Sequence, residues 1–191
     1  MGQSKPLLPF GEVPGATFVS TLIETLKSSG VFNILVVGRP GDYPLTEEVA
    51  RCGASFIENP KAEQGQLSSL QTALGALQMR LGSELEAVMV MPVDAPLINS
   101  RAVGLVLNAA RVSDAQILRA THAGTHGHPV LFKRSTFPEL HTADPEVGAR
   151  AVVRADLGRL EDVDVGDSGV TIDFDTPEQY RGHFGHEPFS R

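Results

Sequence analysis

The chain has 191 residues, 41% hydrophobic and 20% charged, a net charge of -7 and one cysteine, Cys52. That length fits a single domain that buries its core without staples, and the acidic balance argues against a general nucleic-acid binder, which carries a basic stripe. Nothing resembles a signal peptide, and no apolar run approaches the roughly 18 residues that span a bilayer, so a cytoplasmic protein with no membrane partner is expected.

The chain opens on MGQSKPLLPFG, a polar start running into an apolar loop, with no strand ahead of it. Phe18, Val19, Leu22, Ile23 and Leu26 recur at helical spacing and Gly30 supplies a stop. VFNILVVG (31–38) reads as a buried strand. GRPGDYP (38–44) has glycines but not the GxGxxG spacing, so a dinucleotide oxidoreductase gains little support. A short helix around Thr46–Cys52 precedes a strand at Ala54–Glu58, and Cys52 reads as a small core residue rather than a nucleophile. Leu67, Leu70, Leu74, Leu77 and Leu81 mark a longer helix, and AVMVMPVD (87–94) is the most apolar strand. Asn99 is placed to cap the helix RAVGLVLNAA. Further strands are expected at Gln116–Thr121, Pro129–Phe132 and Val170–Phe174, with helices over residues 145–156 and from Pro177, and GHFGHEPFSR reads as a frayed end. Strands alternating with helices imply βαβ units and a mostly parallel sheet, whose ligands bind beyond the C-terminal strand ends.

That rule directs attention to a few side chains. Asp94 follows the AVMVM run and precedes Ala95–Pro96; the pattern alone leaves it open between a metal-binding carboxylate and a turn aspartate. Asp173 and Asp175, two apart in VTIDFDTPEQY, share one strand face, and Thr176–Pro177 opens a helix. Two like charges on one face call for a cation or donors between them. Gln64–Ser69 is a glycine loop entering a helix, a junction that offers free N–H groups to an anion, though ordinary helix capping is the safer reading of the pattern alone. Lys5 is a point-charge partner for phosphate or a surface lysine. His122, His126 and His128 cluster without a cysteine pair or helical HExxH spacing, which makes a weak zinc pattern. No GxSxG elbow appears.

Taken in order, these segments resemble a known family. MGQSKPLLPFG resembles the tail of the LAAGxSxRMGxxKxLLPxxG signature of MobA-like nucleotidyltransferases, with Met1, Gly2, Lys5, Leu7, Leu8, Pro9, Phe10 and Gly11 in matching places. QGQLSSLQTAL is similar to the family's GMSSSLxxG segment, and MPVDAPLI to its strand ending in a metal-binding aspartate. GHPVLFKRSTFPEL, EVGARAVVR and IDFDTPEQY resemble the GHPVLF loop, GARxLL segment and terminal DIDTPEDY of the molybdopterin cytidylyltransferase branch. The resemblance implies one domain over residues 1–191 with a three-layer α/β/α, Rossmann-like, mostly parallel sheet of the nucleotide-diphospho-sugar transferase type. It implies Mg²⁺-dependent transfer of CMP from CTP to a molybdopterin-type phosphorylated acceptor, with pyrophosphate released. Lys5 and Asp94 would be catalytic, and Gly2, Lys5, Gly65, Gln66, Ser68 and Ser69 would bind nucleotide. Gly127, His128 and Pro129 would lie near the acceptor, and Asp94 with Asp173 or Asp175 would hold the metal. A molybdoenzyme or its maturation chaperone is the implied recipient.

The first strand and the LAAGxSxR part of the signature are missing from the sequence, so an N-terminally truncated domain is expected, with a start site assigned inside the motif as the favoured explanation. Two other functions stay in view: a non-catalytic domain that binds a nucleotide or partner, and a related transferase that uses GTP or another NTP.

Overall fold

The computed structural model describes residues 4–144 and 147–188. Its elements are α1 (Phe18–Ser28), β1 (Leu35–Gly38), α2 (Tyr43–Arg51), β2 (Ser55–Glu58), α3 (Gln66–Leu81), β3 (Ala87–Val90), α4 (Ser100–Val112), β4 (Ile117–His122), β5 (Thr125–Lys133), α5 (Phe137–Thr142), α6 (Arg150–Ala155), β6 (Leu160–Asp164) and α7 (Pro177–Phe184). They form three layers, helices on both faces of a mostly parallel sheet. One piece of the sheet is the parallel pair β1–β2; the other has the order β3-β5-β4-β6. In that second piece only β5 is reversed, running antiparallel to both β3 and β4, while β4 and β6 are parallel. Among the described residues no helix is long and apolar enough to cross a membrane.

Period-two alternation sorts the strand side chains into the two cores. Met89 on β3, Leu118 and Ala120 on β4, and Leu131 on β5 face α1 and α4, where they meet Leu22, Val103 and Val106. Val88, Ile117, Val130 and Phe132 face the other way, against Leu74 and Leu77 of α3, Leu140 of α5 and Val152 of α6. The ladder fixes this partition, since Val88 pairs with Phe132 and Met89 with Leu131. A shift of one residue would exchange the two faces. Beneath β1 and β2, Val19 and Ile23 pack on Leu45 and Val49.

The caps follow from local chemistry. Thr17 and Ser20 form a reciprocal capping box at the start of α1, and Asn99 Oδ1 accepts from Ala102 N at 2.9 Å to begin α4. Thr176 and Gln179 form a second box ahead of α7, with Pro177 in its first turn. Helix α2 begins earlier than read from the sequence, because Asp42 accepts from Leu45 N and starts it at Tyr43.

Other expectations need correction. Residues 170–174 do not form a strand: Ser168–Thr171 winds into a 3-10 turn and the chain continues extended. The cause is steric. A Cβ on Gly169 would stand 2.7 Å from the Leu97 carbonyl oxygen, and one on Gly127 would stand 2.0 Å from that of Val170. The segment is thus clamped between β5 and the turn after Asp94 rather than laid into the sheet. Strand β6, LEDVD, is absent from the sequence reading because its three acids suit a half-exposed edge and hide the apolar alternation. The helix expected over 145–156 is described only from Arg150 to Ala155, and residues 145 and 146 lie outside the described residues.

Part of the segment expected to fray is packed, while residues 189–191 lie outside the described residues. Phe184, the last residue of α7, stacks on Phe174 at 5.4 Å and contacts Phe10, Phe18 and Tyr180. With Leu8, Phe18, Phe174 and Tyr180 fully buried, this cluster joins the first loop to the last helix, and the Tyr180 hydroxyl donates to Pro9 O at 3.0 Å. Phe174→Ala is expected to lower stability by about 3–5 kcal/mol, the range for removing a buried phenyl ring, measured by urea denaturation at constant pH.

Candidate functional site

Asp94 stands on the turn that follows β3, and Ala95 and Ile98 anchor that turn by burying 0% and 1% exposed side chains. Its carbonyl accepts from Phe174 N at 2.8 Å, which brings the 172–175 segment alongside. From the other end of the chain, the 3-10 turn Lys5–Leu7 is set by Pro6 and anchored by Leu8. Lys5 Nζ donates to Asp94 Oδ2 at 3.2 Å and to Asp175 Oδ1 at 2.7 Å. Burial pushes the Lys5 ammonium pKa down, but the hydrogen bonds and charges of Asp175 and Asp94 together outweigh it and hold the pKa above its ordinary value. Lys5 is therefore a fixed positive charge between two carboxylates.

Asp173 and His128 complete the cluster. Partial desolvation and then the nearby Asp94 charge push the Asp173 carboxyl up from its ordinary range. His128, on β5, is pushed down by burial, which outweighs the opposing charges of Asp173 and Asp94, and the Arg150 cation adds to the lowering. Its Nδ1 is buried with no hydrogen-bond partner among the described residues. Because β5 runs opposite to β3, the start of β5 reaches the rim where β3 ends. Gly127 and Pro129 flank His128, and the bond between His128 and Pro129 is cis. Arg150, in the EVGARAVVR segment, thus stands near the site.

The Gln64–Ser69 loop is built differently. Gly65, at φ 89°, precedes α3 without any side-chain cap, so the first N–H groups of a 16-residue helix are left to other partners. Ser68 is buried and accepts from Asn59 Nδ2 at 2.8 Å, and Ser69 accepts from the same group at 3.1 Å. Both hydroxyls are engaged by a buried asparagine that the sequence reading missed; its only signal was an Asn-Pro pair after a strand. Gly65 and Gln66 are exposed. Gly2 lies outside the described residues. A broad depression of about 750 Å³ between α1 and the 96–100 turn holds none of the Lys5 cluster.

A fixed lysine, several carboxylates and a histidine at the C-terminal rim of an α/β sheet suit a phosphorylated ligand. The sequence profile of the MobA-like NTP transferase domain matches residues 1–163. The chain belongs to that family. Membership makes it a nucleotidyltransferase by family, with an NTP as substrate. The fold superposes on Rv0371c of Mycobacterium tuberculosis with a TM-score of 0.79 at 20% identity, covering 97% of this chain and 91% of that one. A manganese complex of that protein gives 0.71 at 21% identity, over 97% and 94%. A cytidylyltransferase from Leptospira borgpetersenii gives 0.67 at 18%, over 94% and 78%. The molybdopterin-guanine dinucleotide biosynthesis protein A of Archaeoglobus fulgidus gives 0.59 at 15%, over 95% and 89%. At these identities the likeness speaks for the fold. A search of curated proteins returns no match.

The Asp173 shift has a consequence for stability. An acid whose folded pKa is raised burdens the folded state above that pKa, and the burden vanishes below the ordinary value of 3.8. Asp173→Asn is expected to stabilise the metal-free protein at pH 7 by less than about 1 kcal/mol, since the group is exposed and screened. The gain should fade as pH falls through the raised value towards 3.8, read from urea midpoints in chelator across that range.

Proposed function

We propose that this protein transfers CMP from CTP to a molybdopterin-type phosphorylated acceptor and releases pyrophosphate, with Mg²⁺ as the metal. The observation that carries the reading is Lys5, held by Asp94 and Asp175 at the rim with Asp173 and His128 beside it. In the reaction an oxygen of the acceptor phosphate bonds to the α-phosphorus of CTP, and the bond from that phosphorus to the bridging oxygen breaks as pyrophosphate leaves. Such transfer needs positioning and charge neutralisation rather than a covalent nucleophile.

The residues fit a divalent cation. Asp94 and Asp175 pair with Lys5, and Asp173 stands near them with its pKa raised by desolvation first and then by the Asp94 charge. Mg²⁺ commonly takes one or two protein carboxylates and completes its shell with substrate oxygens and water. Asp94, with Asp173 or Asp175, would hold it. When bound, Mg²⁺ neutralises phosphate charge and polarises the oxygens around the reacting phosphorus. The manganese complex of the M. tuberculosis protein supports a divalent ion in this fold.

The remaining roles belong to this chain's own groups. Lys5 exchanges a carboxylate for the triphosphate and stays protonated throughout. Gly65 and Gln66 present the open end of α3 to the nucleotide, while Ser68 and Ser69 hold the loop on Asn59. Gly127, His128 and Pro129 line the acceptor side, where a neutral imidazole offers a hydrogen bond without attracting the substrate's anionic groups elsewhere. Ser68–Leu70 and the GHPVLF segment resemble the cytidylyl branch and favour CTP. Guanylyl transfer is the second reading, supported by the shared fold of the Archaeoglobus protein. A molybdoenzyme or its chaperone is the proposed recipient.

Two measurements test this. In turnover and binding assays with Mg²⁺ and each of the four NTPs, CTP is expected to be preferred over GTP; the reverse order moves the protein to the guanylyl branch. Asp94→Asn is expected to reduce turnover by about 10²–10³, the usual loss of one electrostatic contact at a reacting centre. Titration with Mn²⁺ should show weaker metal binding in the same variant, with circular dichroism unchanged. Near-normal turnover and metal affinity would remove Asp94 from the metal site.

A further inference from the structure

Helix α6 leads through the 3-10 turn Leu157–Arg159 into β6. Strand β6 runs parallel to β4, and β5 runs antiparallel to both β4 and β3, so β6 starts at the end of the sheet opposite the rim. The last turn of α6 lies towards that far end, and its first residue, Arg150, lies towards the rim. Ala149 and Val152 pack the helix against the cluster that holds Val90 and Val130. Val90 is the last residue of β3, and the His128 ring lies against its backbone. The Arg150 charge reaches that imidazole and opposes its protonation.

Nothing in the fold itself calls for a cation there. Arg150 is exposed, and among the described residues no acid or carbonyl pairs with its guanidinium. Arg119 and Arg159, by contrast, are tied down, to Asp162 at 2.8 Å and to Glu139 at 2.5 Å. At the first position of a helix a cation faces the positive end of the peptide dipoles, which disfavours it. No acid stands in the first turn of α6 to offset that cost. The ligand side, in turn, lacks positive charge. Lys5 is engaged by Asp94 and Asp175. An anion approaching past His128 would meet Asp173 and an imidazole whose protonation burial disfavours. Arg150 is a cation within reach of it.

We propose that Arg150 binds the phosphate of the acceptor, a phosphate monoester, and brings it to the nucleotide from the His128 side. A guanidinium forks onto two phosphate oxygens at once. The third oxygen is left to bond to the α-phosphorus, as the bond from that phosphorus to the bridging oxygen breaks and pyrophosphate leaves. A phosphate monoester is mostly a dianion at pH 7, so no base has to remove a proton from the attacking oxygen. Arg150 offsets the repulsion that this dianion meets from the donor phosphates and from Asp173. The two cations thus divide the substrates, Lys5 to the donor nucleotide and Arg150 to the acceptor. Naming the phosphate as the acceptor's rests on the nucleotidyl-transfer reading; an anion site at Arg150 does not.

The probe is phenyl phosphate, which carries the monoester and none of the acceptor's other groups, with phenol as the uncharged control. Phenylglyoxal modification of the whole protein, read residue by residue by mass spectrometry, reports on each guanidinium and needs no turnover. Saturating phenyl phosphate is expected to slow modification of Arg150 about tenfold or more, the scale of a charged hydrogen bond. Arg154, exposed one helical turn on, should react unchanged, and phenol should have no effect. CTP with Mg²⁺ is expected to leave Arg150 reactive. In turnover, Arg150→Gln is expected to raise KM for the acceptor about tenfold or more while KM for CTP stays within about twofold. Arg150→Lys should recover part of the loss, since it restores the charge without the fork. Should Arg150→Gln not fold, the protection pattern on the unaltered protein still decides. No protection of Arg150, equal protection of Arg154, protection by CTP with Mg²⁺ as strong as by phenyl phosphate, or an equal rise in both KM values would overturn the inference. If no NTP supports turnover, the transfer reading fails alone, and the protection pattern still decides whether Arg150 holds a phosphate.

Discussion

The site depends on an apolar contact between the two ends of the chain. Leu8, Phe18, Phe174 and Tyr180 are fully buried together, and the Tyr180 hydroxyl fixes the Pro9 carbonyl. Three residues ahead of Leu8 stands Lys5, and one residue on either side of Phe174 stand Asp173 and Asp175. The aromatic cluster therefore sets the distance between a cation and two anions that are about 170 residues apart in sequence. The ion pairs alone could not do this. They are partly exposed, and such pairs contribute little against the entropy of ordering the chain. Hydrophobic burial does the placing, and the charges are left available for a ligand.

That division explains the electrostatics. Asp94, Asp173 and Asp175 outnumber Lys5, and the Asp173 pKa is raised by desolvation and, after it, by the Asp94 charge. His128 does not correct it, since burial keeps the imidazole pKa low despite two neighbouring carboxylates. The rim is thus negative with one positive charge, Lys5, held between carboxylates. Such a surface attracts cations first and accepts a triphosphate once its charge is accompanied by one.

Much of this was legible in the sequence. The apolar periods of α1, α3, β3 and α4, the caps at Asn99 and Thr176, and the position of Asp94 follow from local pattern, and the structure keeps them. Lys5, Asp94 and Asp175 were named and do meet. What was not legible came from contacts distant in sequence. The segment 170–174 has the composition of a strand, but Gly127 and Gly169 let other backbone approach closely and hold it out of the ladder. Strand β6 hides its pattern under acids because one side faces solvent. The serines of the Gln64–Ser69 loop were read towards a nucleotide, and nothing local announced that Asn59 holds both.

The reversed strand β5 has a further consequence. In a wholly parallel sheet only strand ends reach the ligand rim, and each is followed by a loop free to drift. Here His128 reaches the rim at the beginning of a strand, with Val130, Leu131 and Phe132 locked into β3 immediately behind it. Its position is indexed to the core ladder, not to a loop. The hairpin tip at Ala123 and Gly124, both at positive φ, lies ahead of His128, outside the residues paired with β3. A change confined to the tip can therefore reshape its surroundings while the ladder behind His128 still sets where the imidazole stands.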